Sequence, residues 1–363
     1  MRLAYSSALA AALLAATLFC ANLPADPSLR LVSGDPEGGD ALAAGSWKAT
    51  LGFYGDSPAS QSKRGSAYDI LVAKDQGAYE GALRQASEAR PDLVVAAGAR
   101  FARAVDAAAA QYPDQNYLLI GGRSDKPNVM CASLGEAEAA YLSGLAAGLK
   151  AKDSKIPAPR FGFMGSETGP EATALELGFA AGVLAALPQA KIVDFYAGAE
   201  ASAAGMPELG KVQARNWYDS GVFCVFDAAG RTGEGAVSAA RQYRTDGKEA
   251  WIAGEAPREA GVYDPSRSAS AVIATISAEP AKAILYALGA LRDGTFKGGP
   301  VAFGLASGGA SFSIDASDFS KGIASRLEAS GRDLASGKVK LYSRYSDALA
   351  AKAIPEGLQA QDD

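Results

Sequence analysis

The chain has 363 residues, 48 % of them hydrophobic and 21 % charged, with 35 Lys and Arg against 40 Asp and Glu for a formal net charge of −5. That is enough apolar chain for two domains of about 100–200 residues each, and the acidic balance lacks the basic patch that nucleic-acid binders carry. Histidine is absent, which removes the commonest general base and the commonest neutral metal ligand and excludes Ser-His, Cys-His and His-based zinc chemistry.

In chain order the first feature is "MRLAYSSALAAALLAATLFCANLPADPS": Arg2, an apolar run to Phe19, then Cys20. A run this short behind one positive charge reads as a secretory signal over 1–20, since a membrane span needs roughly 20 apolar residues. The mature protein is therefore expected to be exported. Cys20 stands where a lipoprotein signal places the cysteine that receives lipid, although Phe19 is larger than the small residue normally found before it. Cleavage after Ala21 or Ala25 is the competing reading, and it would remove Cys20.

From residue 30 onward, short apolar runs alternate with longer, alanine-rich amphipathic stretches, the pattern of parallel sheets flanked by helices. The expected strands are "LRLVSGD", "YDILVAKD", "PDLVVAAG", "NYLLIGG" and "NVMCASL", then "RFGFMGS", "KIVDFYAG", "GVFCVFDAAG", "EAWIAGEA" and "SAVIATIS". Helical spacing of apolar residues marks 77–90, 100–111, 135–150, 171–187, 234–245 and 279–293. The two sets divide near residue 135. Cys131 and Cys224 lie inside strand-like runs and read as small buried hydrophobes, with a disulfide between them as the alternative in an exported protein.

Glycine stands between a strand and the next helix in "AAGARF", "MGSETGPE" and "AAGRTGEG". Open α/β sheets bind ligands outside the carboxyl ends of their strands, where helix-start N–H groups face a polar group. The plainer reading is that glycine permits the tight turn. "GRTGEG" has neither the lysine of a phosphate-binding loop nor the full GxGxxG pattern, so nucleotide hydrolysis has no support. The stretch from about 317 contains an amphipathic helix and then loses pattern.

"RFARAVDAAAAQYPDQNYLLIGGRSDKPNVMCASLGEAEAAYLSGLAAGLKAK", "ELGFAAGVLAALPQAKIV", "WYDSGVFCVFDAAGRTGEGAVSAARQ", "GVYDPSRS" and "ALRDGTFKGGPVAFGL" resemble, in order and spacing, the basic membrane protein family of ABC-transporter substrate-binding lipoproteins, the PnrA-like purine nucleoside receptors. The resemblance covers most of 30–315. It implies a type I periplasmic-binding fold: two α/β lobes with parallel sheets, joined by three crossovers and closing on a solute. The expected lobes are 28–134 plus about 272–298 and 135–271 plus about 299–345, with a flexible tail over 346–363. It also implies a monomeric receptor on the outer face of the membrane, held by lipid if Cys20 is modified and partnered by an ABC permease and an ATPase. No cofactor and no metal are expected.

The family's nucleoside contacts are largely replaced here. The aspartate of the turn after the first strand falls on Val32, and the Ser-Phe-Asn motif that stacks the base falls on 40–42, within one residue. The Ile-Asp strand end reads Ile120-Gly121, and the second stacking Phe is met by Ala199. The sugar-binding Gly-Val-Asp becomes Ala253-Gly254-Glu255, and the strand-end lysine becomes Ala278. Trp47 matches a packing tryptophan of the first helix. "SGDPEGGDALAAGSWK" at 33–48 therefore offers glycines and acids where the family has an aromatic and an amide. The candidate ligand residues are Asp35, Asp40, Gly121, Gly230, Thr232 and Glu255, a set suited to a hydroxylated or cationic solute. Two readings compete: a nucleoside receptor with replacement aromatics such as Phe53, Tyr54 or Tyr196, and a surface protein that keeps the fold without a ligand. Catalysis without histidine would need paired carboxylates or a lysine, and Asp35, Asp40 and Glu255 show no catalytic spacing.

Overall fold

The computed structural model describes residues 27–34, 41–54, 68–198, 201–255, 271–314, 319–320, 322–354 and 358. The strands are β1 (Leu29–Ser33), β2 (Tyr68–Val72), β3 (Leu93–Ala97), β4 (Tyr117–Ile120), β5 (Val129–Leu134), β6 (Arg160–Glu167), β7 (Lys191–Gly198), β8 (Val222–Ala228), β9 (Trp251–Glu255), β10 (Val272–Ala278), β11 (Gly299–Phe303) and β12 (Ala310–Ile314). The α-helices are α1 (Ala41–Tyr54), α2 (Gln76–Glu88), α3 (Ala102–Gln111), α4 (Glu136–Asp153), α5 (Pro170–Ala186), α6 (Pro207–Asp219), α7 (Arg231–Thr245), α8 (Ala281–Arg292), α9 (Ile323–Ala335) and α10 (Tyr345–Ala350). They form two compact units, one ending at Gly135 and taking in Ala278–Gly309, the other holding Glu136–Ser277 and the chain from Ala310. The chain thus passes between units at three places, as the resemblance implies.

The first unit is built on a six-stranded sheet in the order β11-β5-β4-β3-β1-β2, parallel throughout. Every residue of the central β3, "LVVAA", is buried, because a parallel strand is covered on both faces and so reads as a continuous apolar run. One face packs Leu83 of α2 and Val105 of α3, and the other packs Trp47 of α1 with Ile284 and Leu288 of α8. Asp75 starts α2 by accepting the Ala78 N–H at 3.1 Å, satisfying a donor the helix leaves open.

The second sheet runs β12-β10-β9-β8-β6-β7, with parallel pairing from β10 to β7. Met164, Val225 and Ile252 pack on one face with Trp217 of α6 and Ala236 and Ala240 of α7. On α4 the run Ala139–Leu149 is buried, and α5 is buried nearly as completely; an all-round apolar helix belongs inside the protein. The two helices touch backbone to backbone. A Cβ at Gly182 would stand 1.9 Å from the Tyr141 carbonyl oxygen, and one at Gly144 2.1 Å from that of Phe179.

Every strand expected from the sequence forms, and the division falls at Gly135–Glu136. The crossovers after it fall differently from the expected boundaries. β10 pairs with β9 in the second sheet, whereas the expectation put 272–298 in the first lobe. A wholly apolar run such as "VIATISA" suits either sheet, so its periodicity does not choose. β11 was not expected and pairs with β5 in the first sheet, although 299 onward was placed in the second lobe; Pro300 lacks an N–H and suits this edge position. The tail, expected to be flexible from 346, packs Ala348 and Ile354 into an apolar cluster with Leu177 and Ala180 of α5. Cys131 and Cys224 are both buried free thiols. Among the described residues no helix is long and apolar enough to cross a membrane.

Candidate functional site

In the first unit, β1 ends at Ser33, fully buried. Its Oγ donates to the Gly34 carbonyl at 3.0 Å and accepts from Trp47 Nε1 at 2.8 Å. Trp47 thus ties α1 to the carboxyl end of β1. Replacing it with Phe removes one hydrogen bond while keeping most of the packing, and a loss of about 1 kcal/mol is expected in urea unfolding. Val32 is a buried core residue in register with Leu71 and Ala96, so this strand end offers apolar packing where the resemblance implies an acid. Gly121 follows β4 at φ 82°, and its N–H donates to the Ala132 carbonyl at 2.8 Å. Its carbonyl is what it can offer a solute. Asp35, Asp40, Cys20 and Ala199 lie outside the described residues.

In the second unit the loop from β8 into α7 is built around Asp227, which is not among the residues expected from the sequence. Its carboxyl is buried and accepts the Ala229 N–H through Oδ1 at 2.9 Å. Gly233, in the first turn of α7, lies directly against it: a Cβ there would fall 1.7 Å from Oδ1 and 2.1 Å from Oδ2. Burial pushes the Asp227 carboxyl up to about 7, the Ala229 N–H pulling the other way and the Glu234 charge adding a little. The signal was present in "FCVFDAAG", where an acid ends an otherwise apolar strand.

Gly230 sits at φ 58° just before α7, and its carbonyl accepts from the Gly233 N–H at 3.1 Å. Thr232 is fully buried. Its hydroxyl donates to the Ala203 carbonyl at 2.6 Å and accepts from the Met206 N–H at 2.8 Å, so it anchors the loop to the turn before α6. Glu255 ends β9, next to Gly254 at φ 133°, where a Cβ would meet the Asp227 carbonyl oxygen at 2.1 Å. With Glu167 at the end of β6, the neighbouring strands β9, β8 and β6 each carry an acid at or near the carboxyl end.

The aromatics that could replace a stacking ring are engaged elsewhere. Tyr54 donates its hydroxyl to the Pro27 carbonyl and stacks on Tyr68 at 5.3 Å; Pro27 precedes β1 and Tyr68 opens β2, so this ring lies by the amino ends. Phe53 packs edge-on against Tyr54 at 4.7 Å. Tyr196 donates to Glu176 Oε2 at 2.6 Å, its ring lying where a Cβ on Gly165 would be 2.5 Å away. Phe303 ends β11 buried in the core.

Residues 59–333 match the family model described as ABC transporter substrate-binding protein PnrA-like. The chain belongs to this family. A relative, the ABC transporter nucleoside-binding protein BmpA of Lactococcus lactis subsp. cremoris, is 27 % identical over 78 % of this chain and 80 % of its own length. A CD4+ T-cell-stimulating antigen of Listeria monocytogenes is 30 % identical over 52 % of the chain, and the match spans 51 % of that relative, about half its length. Among solved structures, an ABC transporter solute-binding protein from Aeropyrum pernix aligns over 90 % of this chain and 97 % of its own with a TM-score of 0.70 at 22 % identity. A carbohydrate-transporter solute-binding protein from Agrobacterium radiobacter, in complex with D-arabinose, aligns over 84 % of this chain and 98 % of its own at 0.56 and 15 % identity. At such identities these two likenesses speak for the fold alone, that of type I periplasmic-binding proteins. The role comes from the family, which is one of ABC transporter substrate-binding proteins.

Proposed function

We propose that this chain captures a small hydroxylated or cationic solute for an ABC importer and does not hold a purine nucleoside by ring stacking. The observation that carries this is the composition of the strand ends: acids on β6, β8 and β9, and the aromatics Tyr54, Phe53 and Tyr196 all committed to the protein's own packing. Base–aromatic stacking contributes about 1–3 kcal/mol per base, so its loss weakens a nucleoside by one or two powers of ten. Gly121, Gly230, Asp227 and Glu255, with Asp35 and Asp40, are the groups proposed to meet the solute. The partners on this reading are a permease and an ATPase, with the receptor on the outer side of the membrane as a monomer, anchored through lipid at Cys20.

The test is thermal unfolding of protein that has been unfolded and refolded to remove carried-over ligand, against nucleosides, sugars, polyols and polyamines. A saturable upward shift with a polyol, sugar or polyamine and none with nucleosides is expected. A shift with adenosine, guanosine or inosine at micromolar concentration overturns the proposal, and no shift with any class favours a fold kept for a surface role.

A further inference from the structure

The C-terminal segment is held to the second unit by an apolar cluster: Tyr345, Ala348 and Ile354 against Leu177 and Ala180 of α5, with Tyr342 and Ile192 at its border. Beside it lies a polar group that apolar packing does not explain. Glu176 of α5 is fully buried. Its Oε2 accepts the Tyr196 hydroxyl at 2.6 Å, whereas Oε1 and the Tyr345 hydroxyl, both buried, have no hydrogen-bond partner among the described residues. The titratable groups acting on this carboxyl from the elements packed against it are Tyr196 and Asp194 on β7 and Tyr345 on α10. None of them is a cation.

A neutral carboxyl tolerates such a place, because its O–H can point at Tyr345. An ionised one can draw the Tyr345 O–H as well as the Tyr196 O–H, but burial of its charge outweighs both and the nearby Asp194 repels it. We propose that Glu176 is the pin of a pH-sensitive clasp that keeps the segment Tyr342–Ile354 docked on α5 and β7 while protonated and loosens it on losing its proton to water. Burial, the main cause, holds this carboxyl at about 7 instead of the ordinary 4.5. Tyr196 and Tyr345 are both held well above the usual tyrosine range by burial and by Glu176, so they stay protonated throughout.

In the undocked form Glu176 meets water and titrates near 4.5, so undocking releases a proton at any pH between 4.5 and about 7. The undocking equilibrium therefore rises roughly tenfold per pH unit across that window and levels off above it, about two orders of magnitude in all.

The experiment is hydrogen–deuterium exchange on the full chain from pH 4.5 to 8.5, corrected for intrinsic exchange. It follows the Ala348, Ala351 and Ala353 amides, which donate to Arg344, Asp347 and Ala348 carbonyls. Wild-type protection of these amides is expected to fall with that slope to pH 7 and then flatten. Glu176→Gln is expected to hold acid-like protection at every pH, and Glu176→Met, a second neutral variant, gives the same flat profile. Tyr345→Phe keeps the slope, because the tyrosine is not the group that titrates. Wild-type protection that does not change with pH overturns the proposal, as does an equal slope in a neutral Glu176 variant.

Discussion

Gly182→Ala is expected to destabilise the second unit by about 3 kcal/mol or more, toward the upper end of what overpacking costs, read as a lower urea midpoint with an unchanged slope. The new methyl group would stand 1.9 Å from the Tyr141 carbonyl oxygen and 2.7 Å from the Leu145 nitrogen. Both neighbours are α4 backbone, so no side chain can turn aside. The helices must part instead, and an interior packed as densely as a crystal opens gaps along the contact when they do. Gly144 repeats the arrangement from the opposite helix, 2.1 Å from the Phe179 carbonyl oxygen, and Gly144→Ala should behave alike. Gly289 on α8 is the control, with nothing within 4 Å of a Cβ. There the same substitution should stabilise by about 0.5–1 kcal/mol through helix propensity. Equal costs at Gly182 and Gly289 would sink the close-packing account.

That helix pair also marks how far the sequence could be read. The alternation of buried runs and amphipathic stretches was enough to place β1 to β10 and the division at Gly135, because a parallel strand covered on both faces has a recognisable composition. It could not assign β10 to a sheet, since an apolar run pairs equally well with either neighbour. β11 and β12 are edge strands: "GPVAF" and "ASFSI" each keep exposed positions, and five residues with a proline or two serines carry little strand signal. The stretch "YLSGLAAGLKAK" read as helical, but that its glycines are there to let α5 touch the backbone depends on a partner about forty residues away.

Of the candidate site, the sequence makes local geometry legible. Gly121 and Gly230 both adopt positive φ at the turns where the sequence placed them. Thr232 stands in a glycine-rich turn whose backbone groups suggest a ligand contact, but its N–H donates to the Ala229 carbonyl and its hydroxyl serves Ala203 and Met206, and residues some thirty positions earlier in the chain do not announce that second use. The replacement aromatics are a similar case. Tyr54 and Tyr196 could stack on a base as far as composition tells; their hydroxyl partners, the Pro27 carbonyl and Glu176, decide otherwise. Asp227 was missed for the opposite reason. Its strand drew attention as core and its loop as glycine, and the acid at the junction fell between the two.

Asp227→Asn is expected to open a stability gap over wild type that widens with pH. Folding raises this carboxyl from 3.8 to about 7, so between those values the native state binds a proton that the unfolded state has lost. Stability then falls as pH rises through this window, by about 1.4 kcal/mol per unit, and levels off once the native carboxyl also ionises. Asn keeps an oxygen for the Ala229 N–H and carries no charge, so the variant should match wild type near pH 4 and exceed it by up to roughly 4 kcal/mol at pH 8. Urea unfolding at pH 4, 5.5, 7 and 8 measures the gap, and a gap that stays constant would mean Asp227 does not titrate in this range. The same carboxyl links pH to the proposed solute. A cation brought to the β8 strand end favours ionised Asp227, so its thermal shift should grow as pH rises through 7 and lose that growth in Asp227→Asn. A neutral polyol gains nothing from the added charge, and its shift should stay level, so the pH profile of binding separates the two solute classes that the acids at these strand ends would accept.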